Sequence, residues 1–220
     1  VAGESTPAGG PVAPEGSPAG GPAPASAPPL RAGRLLYVGT GALGVMFMPM
    51  WLHWLRSSYP ATEIRPVVTR AATRFVTPEA VAVFAGSQPA LDDWGAQTSG
   101  AAPHVELAEW ADTVIVHPAT FHFVSRLALG SADTPVLLAL QCTRAPIALA
   151  PSLPPGALGS PAWESHTRAL STRRNVIVVP PHQGISMTTG RPDAATAAPL
   201  NEVIPAVERV RDQLAAGRAG

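Results

Sequence analysis

The chain has 220 residues, of which 46% are apolar, 14% charged and 5% aromatic, a size that suits one domain with a sizeable core. Fifteen basic residues, every one an arginine, offset fifteen carboxylates, so no net field recruits nucleic acid or an anionic membrane. The absence of lysine excludes pyridoxal-phosphate enzymes, Schiff-base aldolases and P-loop kinases, and the single cysteine, Cys142, excludes an internal disulfide, a CxxC redox pair and a cysteine-built zinc site.

Residues 1–32 consist mainly of Pro, Gly, Ala and Ser, with eight prolines among the first thirty. So few large apolar side chains cannot offset the entropy of ordering, and the composition predicts a disordered extension ahead of a domain at 33–217. No charged start followed by an apolar run marks a secretory signal, and Leu43–Leu55 is too short to span a membrane and carries Pro49 and His53. A soluble, cytoplasmic protein is expected.

Arg34-Leu-Leu-Tyr-Val38 predicts a strand that ends in Gly39-Thr-Gly-Ala-Leu-Gly44. Leu43, Met46, Phe47, Met50, Trp51, Trp54 and Leu55 then recur at steps of three and four, the mark of a helix with a wide apolar face, which Pro49 should kink or locally adjust. Ile64–Val68 predicts a second strand despite Pro66, Pro78–Ala85 a helix, and Asp92–Pro103 a loop. Thr113–Val116 reads as a third strand and Ala119–Leu129 as a helix. Val136–Leu140, Ile147–Ala150 and Val176–Val179 are further continuous apolar runs, as a parallel sheet covered on both faces requires. Leu200, Val203, Ile204, Val207, Val210 and Leu214 stripe a last helix closed by Gly217. The alternation predicts an α/β fold, a doubly wound (Rossmann-like or flavodoxin-like), mostly parallel sheet in a single domain.

Gly39–Gly44 has the spacing G-x-G-x-x-G between a strand and a helix, where backbone N–H groups can hold a phosphate. The second strand ends in Val67-Val-Thr69 with no carboxylate for a ribose, which argues against NAD. Tight strand–helix packing is the other reading of these glycines.

Five segments in order carry a resemblance. They are Leu35-Leu-Tyr-Val-Gly-Thr40-Gly41-Ala42; Thr69-Arg-Ala-Ala-Thr-Arg-Phe75; Pro103-His104-Val-Glu-Leu107 ahead of Trp110-Ala-Asp112; Pro118-Ala119-Thr120-Phe-His122-Phe123 running on to Asp133; and Pro151-Ser152-Leu153-Pro154 followed by Gly159-Ser-Pro161. From Arg34 to about Arg191 the chain resembles the homo-oligomeric flavin-containing cysteine decarboxylases, in particular the lantibiotic-type peptidyl-cysteine decarboxylases. The resemblance implies FMN as cofactor, with FAD as second choice, lined by Thr40, Gly41, Ala42, Thr69, Phe75, Pro118, Ala119 and Thr120. Ala42 stands where the family has a serine, so one phosphate hydroxyl is absent. The resemblance further implies His104 as the catalytic base and a substrate site at His122, Pro151, Ser152, Leu153, Ser186 and Met187. His122 replaces an asparagine of the family's P-A-[ST]-A-N-T, and Pro154 an asparagine of its P-x-M-N. The implied partners are a precursor peptide with a C-terminal cysteine and further copies of the chain, as a trimer or dodecamer.

The chemistry has a stringent requirement. A cysteine carboxylate leaves only when the resulting carbanion is delocalised, and oxidising the side-chain carbon first provides that sink. A flavin can accept the hydride, and a neutral imidazole suits removal of the thiol proton. Among the other histidines, His53 reads as core or interface, and His117 as flavin-facing or helix-capping. His166 and His182 lack metal spacing, and His117 and His122, five apart across a proline, make a poor zinc pair, so no metal is expected. Ser186-Met187-Thr188 occupies the place of an A-C-G segment whose cysteine, in phosphopantothenoylcysteine decarboxylases, reduces the enethiol. Cys142, read as a small buried residue, does not replace it, so the reaction should stop at an aminoenethiol. The alternatives are a phosphopantothenoylcysteine decarboxylase-like enzyme and a flavin-binding, non-catalytic partner protein. Residues 181–199 read as a mobile clamp over a peptide end or as a surface loop.

Overall fold

The computed structural model describes residues 27–96 and 102–217. Six parallel strands form one sheet: β1 (Arg34–Gly39), β2 (Glu63–Thr69), β3 (Ala90–Asp92), β4 (Thr113–Thr120), β5 (Ile147–Ser152) and β6 (Val176–Val178), in the order β3-β2-β1-β4-β5-β6. The central strands are buried along almost their whole length because helices cover both faces. One face packs under α1 (Met48–Ser58), α2 (Pro78–Ala85) and α7 (Leu200–Ala216), which contribute Met48, Leu52, Leu55, Val81, Val203 and Val207 to the core. The other packs under α3 (Pro103–Trp110), α4 (Phe121–Ala128), α5 (Pro135–Cys142) and α6 (Pro161–Ser171), through Leu107, Phe123, Leu127, Leu137, Leu140 and Trp163. The expected doubly wound α/β domain is thus what forms.

Local chemistry sets where the helices begin. Thr77, Thr120, Thr134 and Ser160 each accept a hydrogen bond from a backbone N–H in the first turn of the helix they precede, satisfying a donor with no intrahelical partner. In α2, α5 and α6 a proline follows directly, at the one place where its missing N–H costs nothing.

That signal overturns one strand assignment. Val136–Leu140 is helical, inside α5; a short apolar run cannot by itself tell a buried strand from a buried helix, and the preceding Thr134-Pro135 decides. Pro49 starts α1 and does not kink it, with a 3₁₀ segment over Leu43–Phe47 ahead of it. The apolar stripe counted from Leu43 therefore slips: Val45, Met48, Leu52 and Leu55 are buried, whereas Leu43, Met46, Phe47 and Met50 face outward. Pro66 lies inside β2 opposite Tyr37, ahead of the three residues that β3 pairs with. The stretch expected to be a loop from Asp92 holds the end of β3 and a 3₁₀ turn at Trp94–Ala96. Residues 181–199 form an antiparallel hairpin, β7 (His182–Gly184) with β8 (Ala194–Thr196). Cys142 is exposed at the end of α5, not buried as expected.

The expected disorder of residues 1–26 lies outside the described residues. Residues 27–32 are bonded to the domain. The Tyr59 hydroxyl donates to the Pro28 carbonyl at 2.6 Å, and the Arg31 guanidinium reaches Glu208 and Asp212 of α7, each at 2.6 Å. No helix among the described residues is long and apolar enough to cross a membrane.

Candidate active site

Connections leave β1 and β4 toward opposite faces of the sheet: α1 follows β1 on one, α4 follows β4 on the other. A crevice opens at the carboxyl ends of two such neighbouring strands. It is a cavity of about 510 Å³, within the range of small-molecule sites. Thr40 and Gly41 after β1, Thr69 at the end of β2 with Arg70, Ala71 and Arg74 after it, and Asp92 of β3 line one part of it. Thr120 of β4, His122, Phe123 and Arg126 of α4, and Thr134 ahead of α5 line the rest.

Thr40 ties the two strands together. Its hydroxyl donates to the Pro118 carbonyl at 2.7 Å and accepts from the Thr120 N–H at 2.9 Å; at 1% exposure it serves the frame of the crevice. The three glycines of the turn do different things. A Cβ on Gly39 would stand 2.7 Å from the Met48 sulfur, so this position serves strand–helix packing. A Cβ on Gly41 would stand 2.5 Å from the Ala71 Cβ and 3.0 Å from its carbonyl carbon, so the turns after β1 and β2 approach too closely for any side chain. Gly44 faces open space.

Three ionic features shape the crevice. Arg70 pairs with Asp93, and Arg126 with Asp133. The Asp92 carboxylate accepts from the Val136 N–H at 2.9 Å; burial raises its pKa, against the opposing pull of that N–H and of Arg126. Asp92 thereby joins β3 to the first turn of α5, where a negative charge is favoured.

His117 takes neither expected role. It is buried on the opposite side of β4, edge-on to Trp51, with Nε2 at 3.1 Å from the Ala198 carbonyl and Nδ1 at 3.0 Å from the Tyr37 hydroxyl. A carbonyl only accepts, so Nε2 carries the hydrogen and Tyr37 donates to Nδ1. Desolvation pushes its pKa down to about 4, and the ring is neutral at physiological pH.

Of the residues expected to line a cofactor, Thr40, Gly41, Thr69 and Thr120 meet in the cavity, and so does His122, expected to touch substrate. Pro118 and Ala119 are buried within β4 and do not line the cavity, though the Pro118 carbonyl accepts from the Thr40 hydroxyl that does. Ala42 and Phe75 lie outside the lining, Phe75 at 42% exposure. Pro151 and Ser152 run beside Ala119 and Thr120 in the ladder, and Leu153 is bridged to Ala195 of the hairpin. Ser186 and Met187 sit in the β7–β8 turn, where Ser186 is buried and Met187 is 80% exposed.

His104 lies just past the stretch expected as a loop, Asp92–Pro103, and is helical. It occupies the first turn of α3, edge-on to Trp94 at 5.6 Å between ring centres, and does not line the cavity of its own chain. Its Nδ1 is buried without a hydrogen-bond partner among the described residues. Arg70, Arg74, Asp92, Arg126 and Thr134 escaped the sequence reading. Only Thr134 carried a local signal, the Thr-Pro helix start; the others depend on which strand ends meet.

The chain matches the Flavoprotein family over residues 26–211. It belongs to that family. Within it, the chain is 31% identical over 183 residues to the cypemycin cysteine dehydrogenase (decarboxylating) of a Streptomyces species, covering 82% of this chain and 92% of that protein. It is 33% identical over 156 residues to the bifunctional coenzyme A biosynthesis protein of Haemophilus influenzae, covering 69% of this chain but 38% of that longer protein. The crystal structure of the cypemycin decarboxylase CypD superimposes with a TM-score of 0.70 at 27% identity, covering 85% of this chain and 98% of that one. The FMN-dependent cysteine decarboxylase SpaF gives 0.68 at 25% identity, covering 80% and 97%. The chain's own residues fit the phosphate and polyol portion of a flavin: four threonines, a glycine turn closed to any side chain, and guanidinium groups surround one cavity, with Phe123 as an apolar wall.

Proposed function

We propose that this flavoprotein oxidatively decarboxylates the C-terminal cysteine of a ribosomally made peptide to an aminoenethiol, with FMN as cofactor. The observation that carries the reading is the convergence of Thr40, Gly41, Thr69, Thr120 and His122 on one cavity at the β1/β4 crevice, in a chain that aligns over nearly its whole domain with the cypemycin enzyme. When bound, the flavin supplies the acceptor for hydride from the thiol-bearing carbon.

The chain's residues do the rest. Gly41, Thr69 and Thr120 hold the cofactor, and Thr40 keeps β1 and β4 at the separation it needs. His104 takes the thiol proton, so that hydride leaves a thiolate-bearing carbon. His122, in place of an amide, donates to the substrate beside the flavin, while Ser152 and the β7–β8 hairpin flank the peptide end. His104 lies outside its own chain's cavity, and Leu43, Met46, Phe47 and Met50 expose an apolar surface next to the Gly41 turn. Both features support a homo-oligomer in which His104 of one chain serves the cavity of another, and the family resemblance points to a trimer or a larger shell of trimers.

The phosphopantothenoylcysteine alternative is disfavoured by the hairpin, which carries Ser186-Met187-Thr188 and no cysteine, while Cys142 ends α5. The test is incubation of the purified full chain with a cysteine-terminated peptide. Loss of one carbon dioxide and two hydrogens, read by mass spectrometry, is expected. A yellow protein that leaves the peptide mass unchanged would assign the chain to the non-catalytic flavin binders.

A further inference from the structure

Three arginines line the cavity, and two of them are engaged: Arg70 with Asp93 and Arg126 with Asp133. Arg74 has no carboxylate or other side-chain hydrogen-bond partner among the described residues. The one acidic residue of the lining, Asp92, accepts from the Val136 N–H in the first turn of α5 and makes no pair with Arg74. Arg74 is therefore the one guanidinium of the cavity that no carboxylate among the described residues pairs.

Its direction follows from local geometry. Residues 72–74 form a 3₁₀ turn that begins from Ala71, and in a 3₁₀ helix residues three apart eclipse one another. Arg74 thus stands over Ala71, the residue that abuts Gly41, and shares the same wall. Two neutral donors lie on this wall. The Gly41 N–H makes no backbone hydrogen bond among the described residues. The Thr69 hydroxyl accepts from the Ala72 N–H at 3.3 Å and keeps its own proton to donate. An unpaired guanidinium with two such donors is a site for a phosphate or carboxylate. The Gly41–Ala71 wall favours the phosphate, because the groups that face substrate in the proposed function, His122 and Ser152, follow β4 and β5.

We propose that Arg74 is the counter-charge of the flavin's terminal phosphate, replacing the hydroxyl lost at Ala42. The assignment rests on the flavin reading above and adds to it a specific prediction, a preference for the phosphorylated cofactor.

The test compares FMN with riboflavin, titrated by fluorescence into the full chain freed of flavin. The wild type is expected to bind FMN more tightly than riboflavin. Arg74→Gln should weaken FMN by about tenfold or more and riboflavin by less than about twofold, and should flatten the salt dependence of FMN binding. Arg74→Lys should keep part of the preference, and Arg168→Gln, on an exposed position of α6 outside the cavity lining, should leave it intact. Equal losses for both ligands, or none, overturn the assignment while leaving the flavin reading in place. A raised KM for the cysteine-terminated peptide with unchanged FMN affinity overturns it too, moving Arg74 to the peptide carboxylate. A wild type that binds neither ligand removes the flavin reading and Arg74's role with it.

Discussion

The Thr120 N–H donates to the Thr40 hydroxyl across 80 residues of sequence, and the same hydroxyl donates to the Pro118 carbonyl. One buried oxygen thus joins the ends of β1 and β4 and sets the width of the crevice between them.

Thr40→Val keeps the shape of the side chain and removes the oxygen, leaving the Thr120 N–H without its acceptor. A loss of about 1–3 kcal/mol in stability is expected, together with weaker flavin binding, and Thr40→Ser should recover most of both. Urea unfolding followed by flavin titration measures the two effects, and an unchanged midpoint for the valine variant would contradict the clamp.

Gly41→Ala places a methyl group against Ala71, including its backbone. The turns after β1 and β2 must separate, at an expected cost of about 1–3 kcal/mol. Flavin affinity should fall with it, since Thr69 and Arg74 move with the second turn. The corresponding change at Gly44, which faces open space, should leave flavin affinity within about twofold.

His117 makes stability depend on pH. Its pKa lies at about 4 in the fold against an ordinary 6.5, so below about 6.5 the unfolded chain binds a proton that the folded chain refuses. This contribution is complete above that pH and is lost progressively as pH falls toward 4; the full difference amounts to about 3 kcal/mol. His117→Gln should lower stability at pH 7, because Tyr37 and the Ala198 carbonyl lose their partner, and should flatten the slope between pH 7 and 5. Parallel slopes for wild type and variant in urea titrations would count against the buried neutral ring.

His104→Asn should keep flavin bound and lower turnover by about 10²–10⁴-fold, as expected for loss of a general base. His104 lies outside its own chain's cavity, so mixed oligomers of His104→Asn and Gly41→Val chains should regain part of the activity that each lacks alone. Absence of recovery in verified mixed oligomers would argue that each chain uses its own histidine.

The amino-acid sequence determined the class of fold and part of the site. Apolar runs such as Leu35–Val38, Val114–Val116 and Ile147–Ala150 suit strands covered on both faces. The residues at the ends of β1, β2 and β4 then gather at one edge of the sheet, but it was the resemblance to the flavin-containing cysteine decarboxylases that made Thr40, Gly41, Thr69, Thr120 and His122 legible as the site. Burial by itself left Val136–Leu140 ambiguous, since both kinds of element bury such a run, and a single capping threonine and proline settled it as a helix. Only the tertiary structure decided that Arg74 stands unpaired in the lining it shares with Gly41 while Arg70 and Arg126 are paired, that Asp92 reaches across to α5, and that His104 does not line its own chain's cavity. Periodicity is a property of neighbours along the chain, whereas contacts such as Arg70 with Asp93 and Asp92 with Val136 join groups 23 and 44 residues apart, brought within a few ångströms by the order in which the strands lie.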